Sequence, residues 1–299
     1  MQIQEEKLNE LLGQVVTELG AAVMGLHVSV GDKLGLYRAL GANGGMTSQQ
    51  LADATGTSER LVREWLAAQA ATGYVDYAAD DETFSLSPEQ HAVFADESSA
   101  VLMTGGFYGL GALYGTEETL MQAFRSGGGV GWGDHASCCF ASTEKFFRPL
   151  YRTNLVTEWL PALDSVVEKL EAGGAVADVG CGHGVSTILM AQAFPASQFY
   201  GFDFHPPSIE RAKELAAEAG INNVTFQVAA AKEFPGKGYD LIAFFDCLHD
   251  LGDPVGAIAQ VRTALDSNGT VLIVEPAAGN ALEEILHPIG RTLFAYSTA

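Results

Sequence analysis

One short stretch constrains the fold of this chain more than any other. Residues 175–179, Ala-Val-Ala-Asp-Val, form a predicted buried strand, and a turn with Gly180, Gly182 and Gly184 leads into a predicted helix. The glycines let the backbone turn tightly, and they let a ligand approach it without interference from Cβ atoms. The helix that follows directs free N–H groups at the same place. The stretch therefore predicts a ligand-binding turn.

The spacing of this turn argues against a dinucleotide ligand. A dinucleotide fingerprint, G-x-G-x-x-G, has its third glycine three places after the second. This chain has Val185 at that place, and the glycine comes one residue earlier at Gly184. The acid at the end of the strand, Asp178, would also sit badly beside a pyrophosphate. It suits a ligand that carries a cationic amine and a sulfonium.

Strands and helices alternate from Ala175 onward, which predicts a doubly wound, Rossmann-like α/β domain. The continuous apolar strand 241–245 indicates burial on both faces and hence a parallel sheet. Right-handed crossovers place the ligand at the carboxyl ends of the strands. Strands are predicted at 175–179, 198–202, 224–228, 241–245 and 270–274, and helices at 185–194, 207–219 and 254–265.

The N-terminal part predicts apolar helices followed by a winged helix. Residues 7–40 read as two helices whose leucines and valines recur at helical spacing, which suggests packing between subunits. Two short helices are predicted at 46–56 and 57–73, and the segments 74–77 and 83–86 alternate like the strands of a hairpin. Helix, helix and hairpin together form a winged helix-turn-helix.

The charge of the chain opposes the DNA-binding role that a winged helix suggests. The net charge is −21, and residues 43–98 contain two arginines against ten acidic residues. Binding to phosphates and base edges needs a basic surface. We therefore expect no nucleic-acid partner and interpret the winged helix as a platform for dimerisation and substrate binding, with a DNA-binding regulator as the weaker alternative.

Other features predict a cytoplasmic protein that does not bind membranes. The start of the chain, Met1–Glu6, is acidic and lacks the basic segment of a secretory signal. The apolar stretch 19–30 is interpreted as too short to span a bilayer. The four cysteines have neither disulfide nor zinc spacing, which is typical of reduced thiols.

A connecting region lies between the two predicted domains. Helices are expected over 100–124 and 146–170, with a break near Pro161. Between them lies a glycine-rich loop with Trp132 and His135, which either lines a substrate pocket or serves as a linker. The predicted division is therefore an N-terminal domain over 1–100, a connection over 101–172 and an α/β domain over 173–299.

A second acid strengthens the ligand prediction. The second strand of the α/β domain ends at Asp203, about 20 residues past the glycine turn, where a carboxylate can accept hydrogen bonds from both hydroxyls of a ribose. The alternative is that Asp203 caps the helix that begins near Pro207.

With these features, the chain resembles the class I S-adenosyl-L-methionine (SAM) dependent methyltransferases that carry a winged helix and include small-molecule O-methyltransferases. Residues 200–212 resemble the second motif of that family, and residues 239–250 resemble the fourth. The family often has an acid where this chain has Ala230, so we expect adenine to be held by apolar packing and backbone groups. The resemblance implies a cofactor site formed by Asp178, Gly180, Cys181, Gly182, Gly184, Asp203, Phe204, Ala230, Ala231, Phe245 and Asp246.

The resemblance also implies a candidate general base. The family has a Leu-His-Asp-like segment after the fourth strand, and its histidine, here His249, removes a proton from the substrate hydroxyl. A neutral imidazole suits a phenol, whose pKa is about 10. Asp250 or Asp253 would orient His249, and the alternative is a purely structural histidine. No metal site is expected at these residues.

The predicted activity is methyl transfer from SAM to a hydroxyl of a small molecule by in-line displacement. The alternatives are a SAM-binding protein without catalysis and the DNA-binding regulator named above. We also expect a homodimer formed through the N-terminal domain. The chain stops soon after the fifth strand, and we expect that the last two strands of the seven-stranded sheet typical of the family are missing.

Overall fold

The computed structural model describes residues 3–298 and divides into two compact units. The first unit contains the described residues up to Tyr114 together with Ser137–Pro149, and the second contains Gly115–Ala136 and the described residues from Leu150 onward. The segment 101–172, which was predicted to connect two domains, therefore contributes to both units.

The first unit is helical and carries a small two-stranded wing, as predicted. Two of its helices begin with a capping box, at Thr47 and at Ser87. Its elements are α1 (Glu5–Lys33), α2 (Leu36–Asn43), α3 (Ser48–Thr55), α4 (Glu59–Thr72), β1 (Asp76–Ala78), β2 (Thr83–Ser85), α5 (Pro88–Phe94), a 3₁₀ turn (Thr104–Phe107) and α6 (Leu110–Gly115).

The winged helix packs around aromatic side chains. Strands β1 and β2 pair antiparallel with Tyr77 opposite Phe84, and their rings lie 4.8 Å apart. In the core, the ring of Tyr37 contacts those of Trp65 and Phe94 at centroid distances of 5.0 and 5.1 Å. The Tyr37 hydroxyl donates to Gln69 at 2.8 Å, so its burial costs no hydrogen bond.

Residues 7–40 form two helices, as predicted, and the first of them, α1, is long and largely exposed. It runs without interruption for 29 residues. Among the described residues, it is the one helix that is long and apolar enough to cross a membrane, which corrects the interpretation of this region as too short. That property is weak support for a membrane span, because signal sequences and core helices share it. Its exposed apolar residues include Leu11, Leu12, Val15, Val16, Leu19, Val23 and Leu26.

The predicted continuous helix over 100–124 was wrong. The structure has the 3₁₀ turn Thr104–Phe107, then α6, and then α7 (Glu117–Ser126). One reason is a close backbone approach, since a Cβ atom at Gly105 would lie 2.6 Å from the backbone nitrogen of Phe146. Gly105 is therefore needed for packing against α8 (Ser137–Asn154), and it is a poor helix former.

The second unit is a parallel α/β sheet with the predicted alternation of elements. Its strand order is β5-β4-β3-β6-β7, so the order reverses beside β3 and the crossovers lie on both faces. The elements are α9 (Val166–Glu171), β3 (Ala175–Val179), α10 (Val185–Ala193), β4 (Gln198–Asp203), α11 (Pro206–Glu218), β5 (Val224–Val228), β6 (Tyr239–Phe245), α12 (Pro254–Ala264), β7 (Leu265–Val274) and α13 (Pro288–Ser297).

The register brings the carboxyl ends of the central strands to one edge. Val179 at the end of β3 pairs with Phe202 of β4, and Phe245 at the end of β6 pairs with Val274 of β7. The residues that follow these strands therefore converge between β3 and β6, where the strand order reverses. Ligands of open α/β sheets bind at such a reversal. Within residues 3–298 this sheet has five strands, and the chain after β7 forms a 3₁₀ turn and α13.

A pair of leucines on α4 tests the core of the winged helix. Leu66 is fully buried, whereas Leu61 is 57% exposed on the same helix. Leu66→Ala is expected to lower the free energy of unfolding of the first unit by about 2–5 kcal/mol, because it leaves a cavity. Leu61→Ala is expected to change it by about 0.5 kcal/mol or less. Urea denaturation followed by tryptophan fluorescence, with Trp132 and Trp159 replaced by Phe so that only Trp65 emits, measures both, and equal effects would contradict this packing.

Candidate functional site

The glycine turn after β3 is tied to the neighbouring strand. The backbone nitrogens of Gly180 and Cys181 both donate to the carbonyl of Phe202, at 2.7 and 3.0 Å. Gly180, Gly182 and Gly184 all have positive φ, of 76°, 52° and 75°. A chain with side chains at these three positions would be strained, so the turn depends on glycine.

The three glycines face different surroundings. A Cβ atom at Gly184 would lie 2.6 Å from the ring of Phe226, and one at Gly180 would lie 2.6 Å from the Sγ of Cys247. Nothing lies within 4 Å of the corresponding position at Gly182. Gly180 and Gly184 thus allow close packing within the protein, whereas Gly182 leaves open space that a ligand can occupy.

Asp178 is a fully buried carboxylate with one unsatisfied oxygen. Its Oδ2 accepts hydrogen bonds from Ser186 and Thr187 of α10, both at 2.6 Å. Its Oδ1 has no hydrogen-bond partner in the described structure. Burial raises the pKa of Asp178 to about 6. A buried acceptor without a donor is costly, and a cationic amine at this place would satisfy it.

Asp203, at the end of β4, is hydrogen-bonded to the glycine turn. Its Oδ2 accepts from the backbone nitrogen of Gly182, and its Oδ1 accepts from that of His205, both at 2.9 Å. The N-cap position of α11 is occupied by His205, so Asp203 does not fill the alternative role of helix cap. Burial raises the pKa of Asp203 above its ordinary value. The carboxylate therefore lies beside the open space at Gly182.

Three further residues that were predicted to bind the cofactor, Phe204, Ala230 and Ala231, lie near Asp203. Phe204 follows it and is 52% exposed, which leaves its ring available to a ligand. The backbone nitrogen of Ala229 donates to the carbonyl of Asp203 at 2.9 Å, which holds the segment with Ala230 at this end of the sheet. Ala231 is partly buried against the cluster that contains Phe202.

The glycine-rich loop lies at the same end of the site. A Cβ atom at Gly133 would lie 3.6 Å from His205 and 3.9 Å from Phe204. The rings of Trp132 and His135 pack edge to face at 5.9 Å. These two residues, predicted as substrate contacts, therefore belong to a loop beside the residues predicted to bind ribose and adenine.

His249 pairs with a residue that the sequence analysis missed. Its Nδ1 forms a short hydrogen bond with Glu275, which follows β7, and its Nε2 lies 3.3 Å from Asp250. Asp253 instead caps α12 by accepting from Gly256 at 2.8 Å, so of the two acids predicted as alternatives for orienting His249, Asp250 is the one beside the ring. Glu275 is 26 residues from His249 in sequence, and only the pairing of β6 with β7 brings them together.

The surroundings of His249 change its acidity. Burial lowers the pKa of His249, but the hydrogen bond to Glu275 and the charge of Asp250 outweigh burial and raise the pKa above its ordinary value. Burial also raises the pKa of Asp246 to about 6. Asp246 has a positive φ of 53°, a strained conformation that often marks functional positions.

Asp246, His249 and Glu275 could together hold a metal ion by distance alone, since their ligand atoms lie within 4.8 Å of one another. Within this group, Glu275 also orients the histidine: its Oε1 accepts from the backbone of Leu248 at 2.8 Å, and its Oε2 bonds to His249.

Comparisons with known proteins give matches to both parts of the chain. Residues 170–293 match a family model described as a methyltransferase domain, and residues 22–96 match an Rv2258c-like winged HTH domain. The chain is 33% identical over 113 residues to aklanonic acid methyltransferase DauC from Streptomyces sp. (strain C5), which is 35% of this chain and 49% of that protein. The match therefore spans about half the length of DauC.

Two further similarities extend over most of the chain. Mitomycin biosynthesis 6-O-methyltransferase from Streptomyces lavendulae is 25% identical over 289 residues, covering 90% of this chain and 76% of that protein. The structure of human N-acetylserotonin methyltransferase in complex with SAM superposes with a TM-score of 0.68 at 16% identity. That superposition covers 100% of this chain and 87% of the human one, and it establishes similarity of fold.

The raised pKa of Asp178 predicts how stability depends on pH. Because its pKa is about 6 when folded and 3.8 when unperturbed, the folded state binds its proton more tightly, and stability falls as pH rises from about 4 to 6. Asp178→Asn removes this cost and is expected to make the ligand-free protein about 1–3 kcal/mol more stable at pH 8. Thermal unfolding from pH 4 to 8 measures the effect.

Asp164→Asn is the matched control, because Asp164 is exposed in the same unit. It should leave the pH dependence of stability unchanged. If Asp178→Asn were less stable than the unsubstituted protein at pH 8, the ionised carboxylate would be stabilising. That result would contradict the prediction that its unpaired oxygen destabilises the ligand-free protein.

Proposed function

We propose that this chain, which carries a class I SAM-dependent methyltransferase domain behind a winged helix-turn-helix domain, transfers a methyl group to a hydroxyl oxygen of a small molecule. The proposal rests on the buried Oδ1 of Asp178, which accepts no hydrogen bond in the described structure. The open glycine turn and the Asp203 carboxylate form the rest of this site. These groups fit the amine and the ribose of SAM, whose bound form supplies an activated methyl group.

The residues around the turn would bind the cofactor by complementary chemistry. Asp178 would accept from the cationic amine, which satisfies its free oxygen and favours the ionised carboxylate. Asp203 would accept from the ribose hydroxyls while Gly182 N–H holds it in place. Ala230 and Ala231 would contact the adenine through apolar and backbone groups, because no acid stands at these two positions.

His249 would act as the general base. With Nδ1–H donating to the Glu275 carboxylate, the neutral ring presents Nε2 as an acceptor for the hydroxyl proton. Glu275 would then stabilise the imidazolium, as a carboxylate does for an oriented histidine in other enzymes. Because the pKa of His249 is raised, turnover is expected to increase with pH as the ring loses its proton.

A small acceptor fits the charge of the protein better than a nucleic acid does. On α4, the helix that would read DNA, Arg60 pairs with Glu64 at 2.8 Å and Arg63 pairs with Glu59 at 3.5 Å. Both arginines of this helix are thus neutralised locally and are poorly placed to contact phosphates. The hydroxyl target is favoured by relatives such as mitomycin biosynthesis 6-O-methyltransferase.

Calorimetry and an activity screen test the function. The full chain is expected to bind S-adenosylhomocysteine and to transfer labelled methyl groups from SAM to members of a panel of hydroxylated aromatic metabolites. His249→Ala should lower kcat by about 10²–10⁴-fold and leave the affinity for S-adenosylhomocysteine within about twofold, because the ring acts on the acceptor. Glu275→Gln should lower kcat less, since the ring remains.

The outcomes separate the alternatives. Absence of S-adenosylhomocysteine binding would overturn the whole proposal. Binding without transfer to any acceptor would favour a non-catalytic SAM-binding protein. Transfer that is unchanged in His249→Ala would remove the histidine as base while leaving the methyltransferase activity in place.

The free cysteines support a reducing, cytoplasmic setting for the protein.

The exposed apolar residues of α1 support a homodimer. Val16 and Leu19 are 68% and 64% exposed. The double substitution Val16→Ser and Leu19→Ser is expected to shift sedimentation from dimer to monomer, because it removes apolar contact area. Gln14→Ser, at an exposed polar position of the same helix, is the control. A monomer before any substitution would exclude the dimer.

A further inference from the structure

A π-helical turn follows α8 and aligns two aromatic residues. Tyr151 lies in the last turn of α8, and the π turn spans Leu155–Trp159. An α turn takes about 3.6 residues, and a π turn takes about one residue more. Tyr151 and Trp159, eight residues apart, are therefore one α turn and one π turn apart and lie along one face. In an uninterrupted α-helix they would be rotated by about 80°.

The two rings form a continuous wall with Phe245, the last residue of β6. Tyr151 lies 5.5 Å from Phe245 and 6.1 Å from Trp159 between ring centroids. Trp159 stacks on Phe245 at 6.3 Å with an interplanar angle of 23°. Because Phe245 ends a central strand, this aromatic wall stands at the same edge of the sheet as the glycine turn.

Carboxylates lie around the wall. Burial raises the pKa of Tyr151, and the charges of Asp246 and Asp178 act in the same direction. Asp246 directly follows Phe245, and Asp178 carries the oxygen without a donor. Aromatic faces beside acidic groups attract cations, both through the ring quadrupole and through charge.

We propose that Tyr151, Trp159 and Phe245 receive the sulfonium cation of SAM and allow the protein to distinguish this cationic donor from the neutral product S-adenosylhomocysteine. The inference rests on the proposed cofactor site. The two ligands share the amine and the ribose, so Asp178 and Asp203 would hold both alike. They differ in one methyl group and one positive charge, and the aromatic wall, together with the acids beside it, responds to that charge.

Titration calorimetry with three ligands tests the inference. SAM and sinefungin, which has an amine in place of the sulfonium, are cationic at the reacting centre, whereas S-adenosylhomocysteine is neutral there. Trp159→Leu is expected to weaken binding of both cationic ligands by about 2- to 30-fold, the range for a cation over an aromatic face. Binding of S-adenosylhomocysteine should change by less than about twofold.

Three matched variants sharpen the result. Trp159→Phe keeps an aromatic face and should restore most of the preference for the cationic ligands. Tyr151→Phe removes the hydroxyl and keeps the ring, so it should preserve the preference. Phe124→Leu, at a position 75% exposed on α7 in the same unit, should leave the affinities for all three ligands unchanged.

Fluorinated tryptophan tests the same point without changing the shape of the core. The chain has three tryptophans, and fluorine weakens the negative face of each ring. The ratio of SAM affinity to S-adenosylhomocysteine affinity should fall stepwise with the number of fluorine atoms. In the Trp159→Phe background it should not respond to fluorine. If Trp159→Leu fails to fold, the affinity ratio of the fluorinated protein still tests whether the aromatic wall binds the sulfonium.

The outcomes distinguish this inference from the proposed function. Equal loss of all three ligands in Trp159→Leu, together with no response to fluorine, would show a structural role and overturn the aromatic wall alone. The proposed methyltransferase would survive that result, because S-adenosylhomocysteine would still bind the unsubstituted chain. Failure of the unsubstituted chain to bind any of the three ligands would overturn both.

Discussion

The hydrogen bonds from Ser186 and Thr187 to the buried Asp178 carboxylate hold the centre of the second unit together. They join the end of β3 to the first turn of α10 and so define the path of the glycine turn between them. The same carboxylate keeps one oxygen without a donor, at a cost in stability that a bound cation can offset. Structure and proposed cofactor binding thus depend on one side chain.

Other parts of the candidate site are positioned around this point. Gly182 N–H holds Asp203, and the end of β6 brings Phe245 and Asp246 to the same edge. Strand β7 then places Glu275 beside His249. The site is built from residues at the carboxyl ends of four parallel strands, which explains why no single segment of the chain contains it.

Much of the fold followed from local patterns. The strands at 175–179 and 224–228 were predicted with the bounds that the structure has. The first of them lies directly between Gly174 and Gly180, which mark its two ends. The segment 100–124 was mispredicted, since its break depends on the approach of Gly105 to Phe146, which lies far along the chain. The same limit applied to α1, whose uninterrupted length is not apparent from a stretch that contains glycines.

The sequence by itself determined the glycine turn, the acid two residues before it and the acid at the end of the second strand, because their spacing along the chain is the signal. It also determined the winged helix, through short capped helices and a hairpin. Only the tertiary structure decided that Glu275 orients His249, that Asp253 is a helix cap, and that a π turn aligns Tyr151 with Trp159. The first relation depends on the pairing of strands between residues 26 apart in sequence, and the other two depend on local backbone geometry that residue spacing alone does not specify.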